Sequence, residues 1–343
     1  MSKERYRMKK LLLIATGGTI ASVGTANGLA PAATPEQLLS YIPDAAKLCD
    51  ITVCQLFSID STNIQPEHWL KIAEKIRESY DDFDAFLITH GTDTMAYTAA
   101  ALSYLIQNSS RPIVLTGSQK PISSEFTDAR KNLTDSIRFA LKNKLHGVFI
   151  VFDGKAIVGT RARKVRSKSF AAFESINYPA AAFIDDRQIF YYIDDAPKEP
   201  VKFYDALSDG VFLLKLIPGI RPEILPYLGD HYDVIVIESY GVGGIPFAGS
   251  ANFLTELEKL TARGKLIVIS TQVMHEGSDA ETYEVGALAM RNLNVLQSFD
   301  MTVEATVTKL MWILAETRDF NKIREMFYRP VSHDILRAEE PEA

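Results

Sequence analysis

Short apolar runs recur along the first two-thirds of the chain, separated by amphipathic segments. Leu11–Ala15, Ile51–Leu56, Ala85–Thr89, Ile113–Leu115 and Val148–Phe152 are such runs. With the segments between them, these runs have the pattern of strands and crossover helices in a parallel sheet. Between them, Trp69, Ile72, Ala73 and Ile76 repeat at helical spacing behind Pro66, a residue suited to a first helical turn. Ile137, Ala140 and Leu141 form the inner stripe of a second helix beginning after Asp128. Strand and helix in alternation predict crossover connections and an α/β fold.

The pattern breaks at Asp185–Asp209, where Asp185, Asp186, Asp194, Asp195, Pro197 and Pro200 surround isolated aromatic residues. This reads as a polar connection with some strand content, and as the domain boundary. Beyond it Val211–Leu216, Val234–Ile237 and Leu266–Ile269 read as strands, and Phe253–Thr261 and Val303–Ala315 as helices. Thr302 is placed to cap the last of these. A chain of 343 residues exceeds one compact core. The expectation is a larger N-terminal α/β domain with a parallel-rich sheet flanked by helices over residues 1–188. A linker over 189–210 and a smaller C-terminal α/β domain over 211–343 follow.

Composition narrows the function. A formal net charge of −6 argues against a nucleic-acid surface, which needs clustered Lys and Arg, and favours a small-molecule enzyme. No stretch reaches the length of a membrane span. The two cysteines, Cys49 and Cys54, have no matching Cys/His set for a metal and read as reduced thiols. Lys3, Arg5, Arg7, Lys9 and Lys10 before Leu11–Ile14 imitate a secretory signal. The apolar run is too short, however, and leads into a glycine turn with no small-residue cleavage site. A buried first strand and a cytoplasmic location are the expectations.

Four polar strings carry candidate chemistry. Thr16-Gly17-Gly18-Thr19-Ile20-Ala21 follows the first strand, where loops of an open α/β sheet meet ligands. Its glycines allow a tight turn that displays a hydroxyl, or it is a glycine turn with incidental threonines. The P-loop Gly-Lys-Ser/Thr ending is absent. His90-Gly91-Thr92-Asp93-Thr94-Met95 closes the run Ala85–Thr89 and precedes a helix whose unpaired N–H groups suit an oxyanion. Thr and Asp there are also ordinary caps, and His90 reads as structural because no Ser or Cys nucleophile points to it. Asp60-Ser61-Thr62-Asn63 offers a carboxylate and a hydroxyl for the ends of an amino acid, or a capped turn. Thr160–Arg166 is basic, with Lys164 able to reach beneath the sheet to a threonine hydroxyl, or is a solvated loop.

Together these strings resemble the bacterial L-asparaginase family, and its cytoplasmic branch. The likeness continues through Thr116-Gly117-Ser118-Gln119, Ser239-Tyr240-Gly241-Val242-Gly243 and Asp300-Met301-Thr302-Val303-Glu304-Ala305, covering about Lys9 to Tyr328. It implies hydrolysis of L-asparagine to L-aspartate and ammonia without cofactor or metal. It implies Thr19 as nucleophile and a second triad of Thr92, Asp93 and Lys164. It further implies Asp60, Ser61 and Asp93 on the substrate's charged ends, and backbone N–H groups of Thr92 and Ser118 as the oxyanion hole. A homodimer or a homotetramer built of two dimers is the implied assembly, with no nucleic acid or membrane partner.

One departure stands out. Many members carry a tyrosine soon after the first motif, as base or relay for the nucleophile. Here that region reads Gly28-Leu29-Ala30-Pro31, with no tyrosine between Tyr6 and Tyr41. Tyr283, in Glu281–Gly286, is the candidate replacement. The alternatives are a glutaminase-asparaginase of relaxed specificity, and the glutaminase component of a tRNA-dependent amidotransferase. That component carries an extra N-terminal domain, whereas eight residues precede Lys9. A non-catalytic amino-acid sensor has no need of two activated hydroxyls, and a nucleotide-binding oxidoreductase lacks its glycine fingerprint.

Overall fold

The apolar runs of the N-terminal half become strands of a single sheet. The computed structural model describes residues 7–25, 28–31, 33–194, 196–197, 199–249, 252–280 and 295–336. Its first unit is Met1–Asp205 and its second Ala206–Ala343, so the division falls inside the polar connection.

The first unit runs β1 (Lys10–Gly17), β2 (Ser22–Thr25), β3 (Gly28–Pro31), α1 (Pro35–Ser40), α2 (Pro43–Ala46), β4 (Asp50–Ile59), α3 (Pro66–Glu78) and β5 (Ala85–Thr89). It continues with α4 (Met95–Leu105), β6 (Ile106–Gln107), β7 (Pro112–Thr116), α5 (Ala129–Lys142), β8 (Gly147–Phe152) and β9 (Lys155–Val158). Last come β10 (Ala162–Lys164), β11 (Phe173–Ser175), β12 (Ala182–Asp185), β13 (Gln188–Tyr191) and β14 (Lys202–Phe203).

Eight strands form one sheet in the order β13-β12-β9-β8-β7-β5-β1-β4. The strands from β4 to β8 pair in parallel, and β9, β12 and β13 extend the sheet antiparallel. Leu11, Leu13, Leu87, Val114, Phe149 and Val151 pack with Leu133 and Ile137 of α5 in one buried core. The intervening residues Leu12, Ile14, Phe86, Ile88 and Leu115 are also buried, on the opposite side of the pleat. Burial on both faces is why these runs do not alternate. The edge strands β4 and β13 instead mix exposed and half-buried positions, in strict alternation along β13. Helix α3 buries Trp69, Ile72, Ala73 and Ile76, the stripe read from the sequence, with Pro66 in its first turn.

The strand order positions the site. From β1 the chain crosses to β4 on one side, then returns past β1 to β5 on the other. At such a reversal the loops leaving neighbouring strands diverge and leave a crevice at their carboxyl ends. The loops after β1 and β5 are the two threonine strings.

The second unit has β15 (Val211–Lys215), α6 (Ile224–His231), β16 (Val234–Ser239), α7 (Phe253–Ala262), β17 (Leu266–Thr271), β18 (Val295–Gln297), α8 (Val303–Glu316) and α9 (Phe320–Tyr328). The four strands form a parallel sheet in sequence order. Thr302 caps α8, accepting from the Ala305 N–H at 3.1 Å. Lys309 of α8 and Asp334 beyond α9 form a fully buried ion pair of 2.7 Å. The same ammonium donates to the Arg329 carbonyl at 2.8 Å. Among the described residues no helix is long and apolar enough to cross a membrane.

Candidate active site

The first loop is shaped by two glycines. Gly17 and Gly18 have φ of 108° and 84°, a left-handed region in which a side chain is strained. Space excludes one too: a Cβ on Gly17 would lie 2.5 Å from the Ile59 carbonyl oxygen, and one on Gly18 would overlap the backbone at His90–Gly91. The loop is therefore pressed between the ends of β4 and β5. Its two threonines then part company. Thr16 is buried and donates its hydroxyl to the Thr89 carbonyl at 2.8 Å. Thr19 opens a single 3-10 turn, Thr19–Ala21, and is half-buried. Among the described residues its hydroxyl has no hydrogen-bond partner.

The loop after β5 carries the charged cluster. The Lys164 Nζ lies 2.8 Å from Thr92 Oγ1 and 2.6 Å from Asp93 Oδ1. Lys164 reaches this position from β10, which pairs with β11. The basic string is thus divided by fold: Thr160 and Arg161 are fully buried, Lys164 turns to the threonine, and Arg166 pairs with Glu174 at 2.8 Å. Thr92 is 5% exposed, whereas the Asp93 side chain is 58% exposed and open to a soluble ligand. Met95–Leu105 follows as α4, so Thr92 and Asp93 precede a helix N-terminus. His90 is fully buried: Nδ1 lies 2.6 Å from the Gly91 carbonyl and Nε2 2.9 Å from Thr98 Oγ1. Burial holds its pKa down to about 4 from the usual 6.5, against the Gly91 hydrogen bond, which raises it.

Two further loops close on this cluster. Ser61 is buried, and a Cβ on Gly91 would come within 2.5 Å of its Oγ. The Thr94 hydroxyl donates to the Ser61 carbonyl at 2.7 Å, tying the two loops together. Asp60 is exposed, and its Oδ1 accepts from both the N–H and the hydroxyl of Thr62 at 2.8 Å. One carboxylate oxygen is thereby committed to the local turn. The Thr116–Gln119 string follows β7. Gly117 sits against the His90 carbonyl, where a Cβ would overlap. Ser118 is buried beside it.

Three residues here escape the sequence reading. The Thr92 hydroxyl donates to Gln119 Oε1 at 3.3 Å, and Gln119 Nε2 donates to the Ser169 carbonyl at 3.1 Å. Gln119 thus orients the hydroxyl that Lys164 approaches from its other side. Asp128, identified only as the residue before a helix, makes no side-chain cap. Its carboxylate instead accepts the N–H groups of Gln119 and Lys120 at 2.9 and 3.1 Å. Burial raises its pKa, and these hydrogen bonds oppose the rise. Asn132, one turn on, donates to the Gly117 carbonyl at 3.0 Å. The available signal is a pair of polar residues, i and i+4, on the inner face of an amphipathic helix. Tyr283 lies outside the described residues. Among the described residues no group of three or more His, Cys, Asp or Glu is arranged to hold a metal ion.

Comparison with known proteins covers both units. The family model "Asparaginase, N-terminal" matches residues 10–196, and "Glutaminase/Asparaginase C-terminal domain" matches residues 210–327. An L-asparaginase of Thermococcus kodakarensis is 41% identical over 95% of this chain and 99% of its own. The solved structure of the thermostable L-asparaginase from that organism matches with a TM-score of 0.91 at 39% identity, covering 96% of this chain and all of that one. A component of the glutamyl-tRNA(Gln) amidotransferase of Pyrococcus abyssi is 32% identical over 96% of this chain and 77% of its own length.

Proposed function

The chain belongs to the asparaginase family, and on that footing we propose that it hydrolyses L-asparagine to L-aspartate and ammonia by threonine chemistry. The observation that carries this reading is the Lys164–Thr92–Asp93 cluster at the carboxyl end of β5, reached by the loop that displays Thr19. Thr19 Oγ attacks the side-chain amide carbon while its proton passes to a relay. That proton leaves with the amide nitrogen as ammonia, and water then cleaves the Thr19 ester to L-aspartate. Thr19 is the threonine of its string whose hydroxyl is not already engaged, unlike Thr16. Negative charge builds on the amide oxygen, and the backbone N–H groups of Thr92 and Ser118 receive it. Among the described residues neither group donates a backbone hydrogen bond. An amide is a poor electrophile, so this stabilisation is the largest contribution, and one such donor is worth about 3 kcal/mol.

Lys164 places positive charge on the Thr92 oxygen and polarises its hydroxyl, while Asp93 holds the lysine in place. The exposed Asp93 carboxylate also takes the substrate ammonium, with Asp60 through its remaining oxygen, and Ser61 holds the α-carboxylate. Tyr283 is the proposed base or relay for Thr19. The protein works in the cytoplasm as a homodimer or homotetramer, a reading supported by its two thiols and by family membership.

Ammonia release from L-asparagine and L-glutamine tests the proposal, with Thr19→Ala and Thr92→Val run in parallel. Asparagine is the preferred substrate, and each variant lowers turnover at least about 100-fold with folding intact. Glutamine is turned over more slowly, because one methylene is worth only ~1–3 kcal/mol of discrimination. Undiminished turnover in either variant refutes the two-threonine site.

A further inference from the structure

His90 is fully buried, uses both ring nitrogens and has no part in the chemistry above. We propose that it is a positioning residue for the oxyanion hole: its Nδ1–H grips the Gly91 carbonyl and so fixes the direction of the Thr92 N–H. The inference rests on reading that N–H as an oxyanion donor.

The proton on the ring can be located by elimination. A carbonyl only accepts, so the nitrogen 2.6 Å from the Gly91 oxygen must be Nδ1–H. A neutral imidazole then accepts at Nε2, and the Thr98 hydroxyl at 2.9 Å is its donor. Thr98 Oγ1 in turn receives the indole N–H of Trp69 at 2.9 Å, a group that only donates. Hydrogen bonds therefore run in one direction, from α3 through α4 and the end of β5 into the Gly91 carbonyl.

That carbonyl and the Thr92 N–H belong to one planar trans peptide, in which C=O and N–H point in opposite directions. Holding the oxygen fixes the rotation of the whole plane, and with it the aim of the N–H. A donor on the carbonyl side also draws charge through the amide and strengthens the N–H as a donor. An oxyanion hole gains its value from dipoles already oriented before charge develops, and a loop peptide after glycine has the greatest freedom to lose. The backbone of His90 serves the second donor as well. Its N–H bonds to the Thr116 carbonyl at 2.8 Å, and its carbonyl abuts Gly117, the residue before Ser118.

Two substitutions separate positioning from packing. His90→Asn puts an amide N–H where Nδ1 stands and keeps the grip on Gly91. His90→Gln reaches the Nε2 position and keeps the Thr98 contact. Steady-state kinetics on asparagine, corrected for the folded fraction, should give His90→Gln a kcat lowered roughly 10- to 100-fold with KM within about threefold. His90→Asn should recover most of that loss. A packing role alone would move melting temperature in both variants and kcat per folded molecule in neither. Nitrogen-15 NMR of the wild-type imidazoles at neutral pH should show a histidine protonated at Nδ1 and bare at Nε2. That tautomer is the condition the proposal requires, and it can be read even where the variants do not fold. Wild-type kcat in His90→Gln, equal losses in both variants, or protonation of His90 at Nε2 would overturn the proposal. Thr92→Val, run alongside, separates the two levels: if it is inactive while His90→Gln is normal, only the positioning role fails. An active Thr92→Val beside a slow His90→Gln would sink the hydroxyl's role and leave this inference standing, because valine keeps the backbone N–H.

Discussion

Both units end their parallel strands in polar residues, yet the two sets are used differently. In the second unit, Ser239 donates to the Ser270 carbonyl at 2.5 Å, and Gln272 Nε2 donates to the carbonyls of Leu216 and Glu238 at 2.6 and 3.0 Å. Gln297 bonds both the Ser278 carbonyl and the Ala280 N–H, at 2.7 and 2.9 Å. These side chains hold loops to strands. In the first unit Thr16 and Thr116 do the same work, donating to the carbonyls of Thr89 and Val151 at 2.8 Å. Beyond them stands a surplus: the Lys164–Asp93 ion pair, with its carboxylate largely exposed, and the hydroxyls of Thr19 and Ser61. Polarity at the end of a strand is thus the common condition of an α/β sheet, and the site is marked by surplus charge and hydroxyls from separate loops meeting in one place.

The strongest way to break this contrast is to remove the charge from the surplus set. Lys164→Met should lower kcat/KM for asparagine about 1,000-fold, roughly 4 kcal/mol of activation free energy, with little change in melting temperature. A lysine that merely decorated the surface would leave turnover intact.

The next effect is on stability and follows from His90. Its folded pKa, about 4, lies below the ordinary 6.5, so the unfolded chain binds the proton first as pH falls. The stability associated with the neutral ring is complete above pH 6.5 and is lost progressively down to about pH 4. Full loss amounts to roughly 3 kcal/mol. Urea midpoints measured across that window should fall more steeply in wild type than in His90→Gln. Parallel curves would contradict the assignment.

The smallest effect sharpens the other side of the comparison. Gln272→Leu removes two bonds that only fasten loops in the second unit, and should cost about 1–2 kcal/mol in stability. Its kcat should stay within about threefold of wild type. A selective loss of activity would show that the second unit's strand ends do more than fasten.

How much of the fold is legible in the sequence varies along the chain. Strands β1, β5, β7 and β8 are readable because burial on both faces writes an unbroken apolar run, as at Ala85–Thr89. Helices α3 and α5 are readable from their inner stripes. The antiparallel extension through β9, β12 and β13 is not, because short edge strands such as Gln188–Tyr191 expose half their residues and resemble a connection. The β2–β3 hairpin likewise has the composition of a loop. In the site, each loop can be found from its own residues, with equal claim to be an ordinary turn. Choosing between those readings needs contacts such as Lys164 to Thr92, which are 72 positions apart. Gln119 and Asp128 stay hidden for the same reason: one side chain matters through another loop's hydroxyl, and the other through a neighbouring backbone.

The buried Lys309–Asp334 pair bears on what the second unit can tolerate. Asp334 lies beyond α9, yet its carboxylate meets the ammonium of α8 where neither side chain is exposed, so the two positions are bound to vary together. Removing one partner of a buried pair costs several kcal/mol, because it leaves the other charge in the interior. Exchanging both for apolar residues of similar volume costs far less. The stretch after α9 is thus a clasp whose two halves have to change in step.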